Sequence, residues 1–456
     1  MTKLTLLSAT LLLLAQSLLA QSFELWGMTK AGGANGFGTI YRYSNDQDSI
    51  EAIYSFREAA LDGKVTEGSL VRVEGKFFGV TAEGGPFGKG ALFEFDPVNG
   101  YRVDYEFEDD GEGYTPAGFL TLKDGKLYGI TTKGGANDAG TLFMFDPASS
   151  TYFKMLDVDP SVHGNAPYAE FTVVGNVLIG MSSPVIFGPK GTLFEWDLDN
   201  NTTSKKLDFN NGNTPAGDLV EYNGEFYGTT TYGGDNNTGT VFKWNRSENK
   251  FYWLYHFSSV NEKYPVGGAV LSGDILIFSI QFGYETPYGR TFSYKISTDQ
   301  AWSSHLFLGA KEGSTPVGDL ILQNGKIYGA GAYGGVTTPG KGCLYSLGGG
   351  FDMIAAFNGP NGANPAGGVT YVDKLLSIEE TRNSTGLSVH PNPAREYITL
   401  TSKISDTYTI TDMSGRTVLS GKIHEGNTTV DISALTSGIY LVYADGSGKA
   451  SKLIRQ

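Results

Sequence analysis

The strongest feature of the chain is an internal repeat. A bulky apolar residue followed by a small residue recurs seven times, and the small residues lie 48 to 52 residues apart. The pairs are Trp26-Gly27, Phe78-Gly79, Tyr128-Gly129, Ile179-Gly180, Tyr227-Gly228, Phe278-Ser279 and Tyr328-Gly329. Repeats of this length are supersecondary units that bury their apolar faces only by stacking on their neighbours. The repeat therefore restricts the fold to architectures built from one unit used many times.

Each repeat is predicted to contain four short strands. In the third repeat we expect them at residues 119–123, 126–132, 141–145 and 152–156. The Asp124-Gly125 step between the first two is a hairpin signal, because both central positions of that turn need a positive φ. The composition agrees, since 63 glycines suit many turns and 27 phenylalanines and 26 tyrosines suit strands.

The two ends of the array complement each other. The first repeat begins at its second strand, whereas an additional first strand follows the last repeat at residues 364–371. We expect residues 366–376 to complete the sheet begun by residues 23–57, which would remove an exposed sheet edge. A solenoid of this period would more often contain helices, and no helical apolar period is evident. The predicted fold class is all-β: a seven-bladed β-propeller over residues 21–378, with four-stranded blades of about 50 residues, closed by its N- and C-terminal strands and followed by a small β-sandwich.

The fifth repeat shows the unit in its fullest form. It reads Tyr-Gly-Thr-Thr at 227–230, Gly-Gly at 233–234 and Gly-Thr-Val-Phe at 239–242. These copies resemble a bacterial tandem-repeat family with the same unit, and the resemblance extends from residue 23 to about residue 376. It implies a propeller-type repeat protein and carries no particular activity with it.

The first twenty residues follow the pattern of a secretory signal peptide, which we predict at residues 1–20. Lys3 supplies the positive charge, an apolar run includes residues 11–14, and Ala20 precedes a plausible cleavage point before Gln21. No cysteine follows the apolar stretch, so no lipoprotein anchor is expected. No later segment approaches the ~20 apolar residues that a membrane helix needs, so no transmembrane segment is predicted.

The composition changes after Ser377. Residues 379–386 are polar and are predicted to form a linker, and residues 387–456 are predicted to form a separate small β-domain. That segment resembles the type A sorting domain of the type IX (Por) secretion system. The residues that carry the resemblance include Pro391, Asn392, Pro393, Gly415, Arg416, Gly438, Tyr440 and Lys452. The resemblance implies the type IX machinery as partner, periplasmic transit and delivery across the outer membrane of a Bacteroidetes-type bacterium, followed by release or surface attachment. An accessory sandwich without a sorting role is the alternative.

Charge and motif content exclude several functions. A formal net charge of −14 disfavours nucleic acid as a partner, because phosphate binding needs clustered Lys and Arg. The single cysteine, Cys343, cannot form an intramolecular disulfide and is expected to be a buried strand residue. No two of the five histidines stand at metal-ligand spacing, and no nucleophile elbow is present. The sequence therefore predicts no metal and no cofactor.

Two repeats depart from the common pattern, and these departures locate the predicted ligand-binding residues. Repeats four and six lack the Gly-Gly pair and carry aromatic side chains in its place, namely Phe187, Phe282, Tyr284 and Tyr288. These loops occupy equivalent positions, so they are expected on one face of the propeller, where aromatic rings could stack on sugars or contact a partner. Drift in a loop without a function is the alternative.

Carboxylates offer a different function. Asp218 and Asp319 recur at the first strand of their repeats, and Glu170 lies at a related position. Paired carboxylates can hydrolyse glycosidic bonds, although residues that repeat with the blade are normally structural. The leading hypothesis is a non-catalytic binding or adhesion module for a glycan or surface protein. A secreted polysaccharide hydrolase or lyase is the second hypothesis, and a purely structural surface protein is the third.

Overall fold

The computed structural model describes the chain in fourteen segments. They are residues 22–63, 68–164, 170–182, 191–209, 214–257, 262–282, 288–309, 312–335, 340–374, 388–390, 394–402, 405–412, 416–444 and 449–455. Residues 23–372 form one compact unit, and residues 373–456 belong to a second. Within these segments no helix is long and apolar enough to cross a bilayer.

The first unit is almost entirely β. In chain order its elements are β1 (Phe23–Ala31), β2 (Thr39–Ser44), β3 (Ser49–Ser55), α1 (Ala59–Asp62), β4 (Val71–Val73), β5 (Lys76–Thr81), β6 (Ala91–Asp96), β7 (Gly100–Glu106), β8 (Tyr114–Lys123), β9 (Lys126–Lys133), β10 (Thr141–Asp146), β11 (Thr151–Asp157), α2 (Pro160–His163), β12 (Thr172–Val174), β13 (Val177–Ser182), β14 (Thr192–Asp197), β15 (Thr202–Asp208), β16 (Pro215–Tyr222), β17 (Glu225–Thr230), β18 (Thr240–Asn245), β19 (Lys250–His256), β20 (Lys263–Ser272), β21 (Ile275–Phe282), β22 (Arg290–Lys295), β23 (Gln300–Leu306), β24 (Ser314–Gln323), β25 (Lys326–Tyr333), β26 (Cys343–Leu347), β27 (Phe351–Ala356) and β28 (Ala363–Asp373).

These strands form seven four-stranded antiparallel sheets, which confirms the predicted all-β class. Sheet 1 contains β28, β1, β2 and β3 in that order. Sheets 2 to 7 each contain four consecutive strands, namely β4–β7, β8–β11, β12–β15, β16–β19, β20–β23 and β24–β27. The strands predicted for the third repeat are confirmed, except that β8 begins five residues earlier than expected, at Tyr114. The predicted hairpin is also confirmed, since Asp124 and Gly125 have φ of 49° and 75°.

A glycine in the second strand faces an aromatic ring in the third strand of the same sheet. Gly129 is the cross-strand partner of Phe143, and a Cβ built on Gly129 would lie 2.3 Å from Phe143 Cζ. The same clash distance is 2.7 Å or less in the six sheets that carry this glycine. The recurring glycine is therefore required because the ring covers its backbone, which leaves no room for a side chain.

Sheet 6 has no glycine at this position. The repeat pattern in the sequence placed Ser279 there, which is wrong by one residue. The strand register instead pairs Phe278 with Phe292, so Phe278 occupies the glycine position. The two rings lie 5.7 Å apart in a tilted arrangement, and both are fully buried.

The core lies between neighbouring sheets. Phe93, Phe95, Phe143, Phe145, Phe194, Trp196, Phe242 and Trp244 are each at most 3% exposed, which confirms their predicted core role. Cys343 is also fully buried, as expected, and burial raises the pKa of its thiol to about 12. That thiol is therefore protonated and unreactive at neutral pH.

The first strands of successive sheets lie against one another through glycine backbone. A Cβ on Gly68 would lie 1.4 Å from the carbonyl oxygen of Gly118, and a Cβ on Gly318 would lie 1.9 Å from the carbonyl carbon of Gly367. Threonines bridge other pairs of sheets. The Thr172 hydroxyl accepts a hydrogen bond from Leu219 N–H at 2.7 Å and donates one to the Leu219 carbonyl at 3.2 Å. Close backbone approach of this kind excludes any side chain at the glycine positions.

The second unit contains two small sheets. Its strands are β29 (Ser388–His390), β30 (Tyr397–Ser402), β31 (Asp406–Asp412), β32 (Thr417–Ile423), β33 (Gly426–Asp431), β34 (Gly438–Ala444) and β35 (Lys449–Arg455). One sheet has the order β29-β30-β33 and the other β32-β31-β34-β35. Their shared core includes Ile398, Leu400, Ile410, Val442 and Leu453, each at most 1% exposed.

We expect Gly129→Ala to destabilise the repeat unit by about 1–3 kcal/mol, because the new methyl group would overlap the Phe143 ring. Gly129 has no positive φ, so backbone strain does not contribute. Guanidinium unfolding followed by circular dichroism would measure the loss. In a Phe143→Leu background the same substitution should cost much less, since the overlapping ring carbon is gone. An equal cost in both backgrounds would contradict the packing argument.

Candidate functional site

The loops between second and third strands lie beside the connections that join one sheet to the next. Gly33 N–H donates to the carbonyl of Gly359 at 2.8 Å, which links the β1–β2 loop to the β27–β28 connection. Gly334, in the β25–β26 loop, approaches Gly309 and Gly313 in the same way. We call this side of the repeat unit the loop face, defined by the residues between second and third strands together with those that connect successive sheets.

Only part of the predicted ligand-binding set lies within the described residues. Phe187 and Tyr284 lie outside them, and Phe282 ends β21 with a side chain that is also outside them. Tyr288 is described and is 43% exposed. Its ring lies over the backbone of Gly309, where a Cβ would come within 2.8 Å of the ring carbons, and its carbonyl accepts a hydrogen bond from Thr315 N–H at 2.8 Å.

Two further apolar residues lie near Tyr288, and neither was among the ligand-binding residues predicted from the sequence. Leu308 is 63% exposed and Tyr333 is 54% exposed. They directly precede Gly309 and Gly334, and a Cβ on Gly334 would lie 2.6 Å from the Gly309 carbonyl oxygen. Tyr288, Leu308 and Tyr333 therefore flank one backbone contact, and we call them the loop-face patch. The sequence contained a signal for Leu308. It follows Phe307, the apolar residue that begins the connection to the next sheet, and the residue at the same place in the other six repeats is polar.

The structure also brings together the three carboxylates that the sequence singled out. Glu170, Asp218 and Asp319 lie on or next to the first strands of sheets 4, 5 and 7, and each is half-buried. Glu170 and Asp218 line a cavity of about 520 Å³, and all three line a neighbouring cavity of about 420 Å³. In sheet 6, which lies between sheets 5 and 7, Gly268 takes the position that Asp218 and Asp319 hold. Its N–H donates a hydrogen bond to the Asp319 carboxylate.

Burial is the main cause of the electrostatic properties of these groups. It raises the pKa of Asp218 to about 7, and the negative charge of Asp319 adds to the effect. Burial also raises the pKa of Glu170, with further contributions from Asp319 and Asp218. The pKa of Asp319 is raised by burial and partly restored by the Gly268 hydrogen bond. Burial and their mutual repulsion therefore both oppose ionisation of the three groups.

The histidines do not form a common site. The three histidines of the repeats each contact a different acidic residue, and the pairs are His163 with Asp159, His256 with Asp235 and His305 with Glu312. In the part of the chain that the structure describes, no group of three or more His, Cys, Asp or Glu side chains is placed to hold a metal ion.

The sorting-type residues of the second unit are partly described. Pro391, Asn392, Pro393 and Gly415 lie outside the described residues. Arg416 follows them and contacts Asp412 through its side chain at 3.1 Å, which closes the β31–β32 hairpin. Gly438 begins β34 opposite Arg455, and Lys452 pairs with Leu441. Tyr440 donates a hydrogen bond to the Thr436 carbonyl at 2.8 Å.

Two family models match the chain. The Gloeobacter/Verrucomicrobia repeat matches three overlapping stretches, residues 14–184, 100–289 and 188–386. The secretion system C-terminal sorting domain matches residues 388–456. Both resemblances noted in the sequence are thereby confirmed. The sorting domain indicates export through the type IX secretion system, either to the cell surface or into the medium. No protein of curated function matches the chain.

Several solved structures are similar to the chain at a low level. The extracellular domain of a protein described as a one-component system from B. thetaiotaomicron is 12% identical, with 93% of this chain and 68% of that chain covered and a TM-score of 0.47. PorZ, a surface component of the type IX secretion system of Porphyromonas gingivalis, is 14% identical, with 91% and 73% covered and a TM-score of 0.36. TolB from Acinetobacter baumannii is 14% identical, with 64% and 67% covered and a TM-score of 0.37. Likenesses at this level assign neither a fold nor an activity.

The carboxylate group generates a pH prediction. The pKa of Asp218 is about 7 in the folded protein and near its ordinary value of 3.8 in the unfolded chain, so the folded state binds more protons between about pH 4 and pH 7. The contribution of Asp218 to the unfolding free energy therefore falls as pH rises through that window. We expect Asp218→Asn to match wild type near pH 4 and to be more stable at pH 8, by on the order of 2 kcal/mol.

Unfolding midpoints in guanidinium from pH 4 to pH 8 would measure this difference. Asp146→Asn is the matched control of opposite sign, because its bond to Lys126 lowers the pKa of Asp146. Removing that carboxylate should give no gain in stability at high pH. Parallel pH profiles for wild type and Asp218→Asn would contradict the burial argument.

Proposed function

The chain belongs to the Gloeobacter/Verrucomicrobia repeat family, and from that premise we propose that its repeats close into a seven-bladed β-propeller that binds a ligand outside the cell without chemical turnover. The sorting domain accounts for the location of this activity. The ligand is a glycan or a surface protein, and the loop-face patch is the binding surface.

Ring closure is supported by a contact between every pair of neighbouring sheets. The pairs are Gly367 with Gly68, Gly68 with Gly118, Thr121 with Phe171, Thr172 with Leu219, Gly217 with Gly267, Gly267 with Gly318, and Gly318 with Gly367. Each sheet therefore has a neighbour on both sides, and sheet 7 contacts sheet 1. The position of β28 beside β1 supports the same closure, since it joins strands from the two ends of the repeat array.

Ligand binding at the loop face is supported by the loop-face patch, which is the observation that carries the proposal. Tyr288, Leu308 and Tyr333 are 43%, 63% and 54% exposed and flank a single backbone contact between sheets 6 and 7. Grouped exposed aromatic and aliphatic side chains are costly in water and are typical of interaction surfaces. The patch arises where sheet 6 departs from the repeat pattern, which favours a function over a packing role.

A second candidate function is polysaccharide hydrolysis or lysis, and the grouped carboxylates favour it. Glycoside hydrolysis needs one protonated and one ionised carboxyl group across the same bond. Asp218 has a pKa near 7, so it can hold a proton at the pH where surface carboxylates are ionised. Asp319 would then act as the ionised partner, because its carboxylate accepts the Gly268 N–H, whereas the pKa of Glu170 is raised well above its ordinary value.

A retention assay tests the binding proposal. The full chain would be mixed with cellulose, chitin, xylan, laminarin and mannan, and both retained protein and released reducing ends would be measured. We expect retention without release. Tyr333→Ala and Leu308→Ser should each weaken retention about tenfold or more, because they remove contact area in the patch.

Phe87→Ala is the matched control. Phe87 is 52% exposed in the loop between the second and third strands of sheet 2, away from the patch. It should leave retention unchanged. Release of reducing ends that is lost in Asp218→Asn would overturn the proposal in favour of the hydrolase. If the protein is not retained and no reducing ends are released, a structural role or a protein ligand is favoured. Capture of surface proteins would then distinguish those two.

A further inference from the structure

A cleft of about 430 Å³ lies between sheets 6 and 7, and none of the three loop-face patch residues lines it. Its lining includes Ile275, which begins β21, and Gly325, which lies in the turn before β25. The loop that follows β21 leaves the opposite end of that eight-residue strand. The cleft and the patch therefore have different linings, although Glu312 lies between their edges: its carboxylate contacts His305 in the cleft wall and accepts the Leu308 N–H. Its wall includes Trp302, Ser293, Ser304, His305, Phe351 and the glycines 348–350.

Beside the cleft, sheet 6 lacks the charged cross-strand pair that sheets 1 and 2 carry. In sheet 1 the cross-strand pair Arg42 and Glu51 forms an ion pair at 2.7 Å, and in sheet 2 Glu94 and Arg102 pair at 3.3 Å. The same register positions in sheet 6 are Ser293 and Trp302.

Small side chains take the place of those charges. The Ser293 hydroxyl is hydrogen-bonded to the Ser304 hydroxyl, so the position that holds a long charged group elsewhere is filled by two short polar groups. Trp302 takes the other position of the pair.

The turn between β26 and β27 leaves the cleft uncovered. It consists of Gly348, Gly349 and Gly350, and nothing lies within 4 Å of the place where a Cβ would stand on Gly349 or Gly350. The corresponding turn in sheet 2 carries Asn99, whose side chain bonds to Asp96. Because the glycine turn has no side chains, one rim of the cleft is backbone alone.

Trp302 supplies a flat apolar surface at this site. It is 40% exposed, whereas Trp26, Trp196 and Trp244 are at most 3% exposed. Within the described residues no aromatic ring packs against that of Trp302. Tyr252, at the same register position in sheet 5, is 43% exposed, but Lys243 lies over its ring at 5.1 Å. Phe153, at the same position in sheet 3, is 43% exposed and lies opposite Met144. Of these three exposed rings, Trp302 is the one that lines the cleft.

The lining is otherwise neutral. His305 stacks on Phe351 with ring centroids 4.1 Å apart, and burial lowers the pKa of the histidine despite its contact with Glu312. The remaining polar groups are serine hydroxyls and turn backbone. This lining suits a pyranose ring. The flat indole can pack against the apolar C–H groups of the sugar, and the serine hydroxyls and turn backbone can bond to its equatorial hydroxyls. The net charge of −14 further disfavours acidic glycans.

We propose that the cleft between sheets 6 and 7 binds a pyranose unit of a neutral polysaccharide, with the sugar ring on Trp302 and its hydroxyls toward Ser304 and the glycine turn. This site lies beyond the loop-face patch, although it shares with the proposed function the premise that the exported protein binds a ligand. No bond is made or broken in the sugar.

Affinity electrophoresis of the full chain tests the cleft. Native gels would contain laminarin, mannan, xylan or hydroxyethylcellulose, with polygalacturonate as the acidic comparison. We expect retardation in at least one neutral gel and none in polygalacturonate. Trp302→Ala should raise the dissociation constant at least tenfold, and Trp302→Phe, which keeps a flat ring, should stay within about threefold of wild type.

Tyr252→Ala is the matched control, since it removes an equally exposed ring from the same register position in sheet 5. It should leave the mobility shift unchanged. A second readout is the indole emission, because Trp302 is the most exposed of the five tryptophans: Trp26, Trp196 and Trp244 are buried and Trp253 is partly buried. Saccharide should shift the emission of wild type and protect it from acrylamide, and should do neither in Trp302→Phe.

The outcomes separate this proposal from the loop-face one. Loss of retardation in Trp302→Ala but not in Tyr333→Ala supports the cleft. Loss in Tyr333→Ala alone overturns the cleft and leaves the loop-face patch as the binding surface. No retardation in any neutral gel, or equal loss in Trp302→Ala and Tyr252→Ala with both variants folded, also overturns it.

Discussion

The rest of the repeat unit depends on one contact, the aromatic ring of a third strand lying over the glycine of the second strand beside it. The ring replaces the missing side chain, so the strand keeps its apolar cover although glycine alone would weaken it. A Cβ at Gly129 would overlap Phe143, and five other sheets have the same restriction. Since this contact fixes the register of two strands and places the ring in the space between sheets, it also sets how neighbouring sheets pack. The first strands obey a similar limit, because their glycine backbones touch across sheets.

The candidate binding residues lie where individual repeats differ from the common pattern. Residues common to the repeats, such as Phe143 and Trp244, are buried and are used for packing, so they are unavailable to a ligand. Leu308 and Tyr333 lie outside that scheme and are exposed together. Trp302 and the glycine turn of sheet 7 replace charges and polar turn residues found in sheets 1 and 2. Both candidate surfaces lie between sheets 6 and 7, and sheet 6 is the sheet that lacks the glycine under the third-strand ring.

The carboxylates show that symmetry and function are not strict opposites. Asp218 and Asp319 occupy equivalent positions and looked structural for that reason, yet the first strands bring them to one group of cavities with Glu170. Burial then raises their pKa values, which costs stability at neutral pH. Arg72 lines the larger cavity with Glu170 and Asp218, yet the pKa values of both carboxyl groups stay raised.

The sequence by itself determined the four-stranded unit, the hairpin at Asp124-Gly125, the buried aromatic residues and the export domain, because each follows from local spacing, turn geometry or a motif of contiguous residues. It did not determine that Phe278, and not Ser279, takes the glycine position, since a one-residue register choice depends on the partner strand. Nor could it show that Gly309 and Gly334, which follow Leu308 and Tyr333, approach each other, that three carboxylates share a cavity, or that Trp302 lines a cleft. Those facts depend on which side chains from distant repeats face each other, and only packing between sheets decides that.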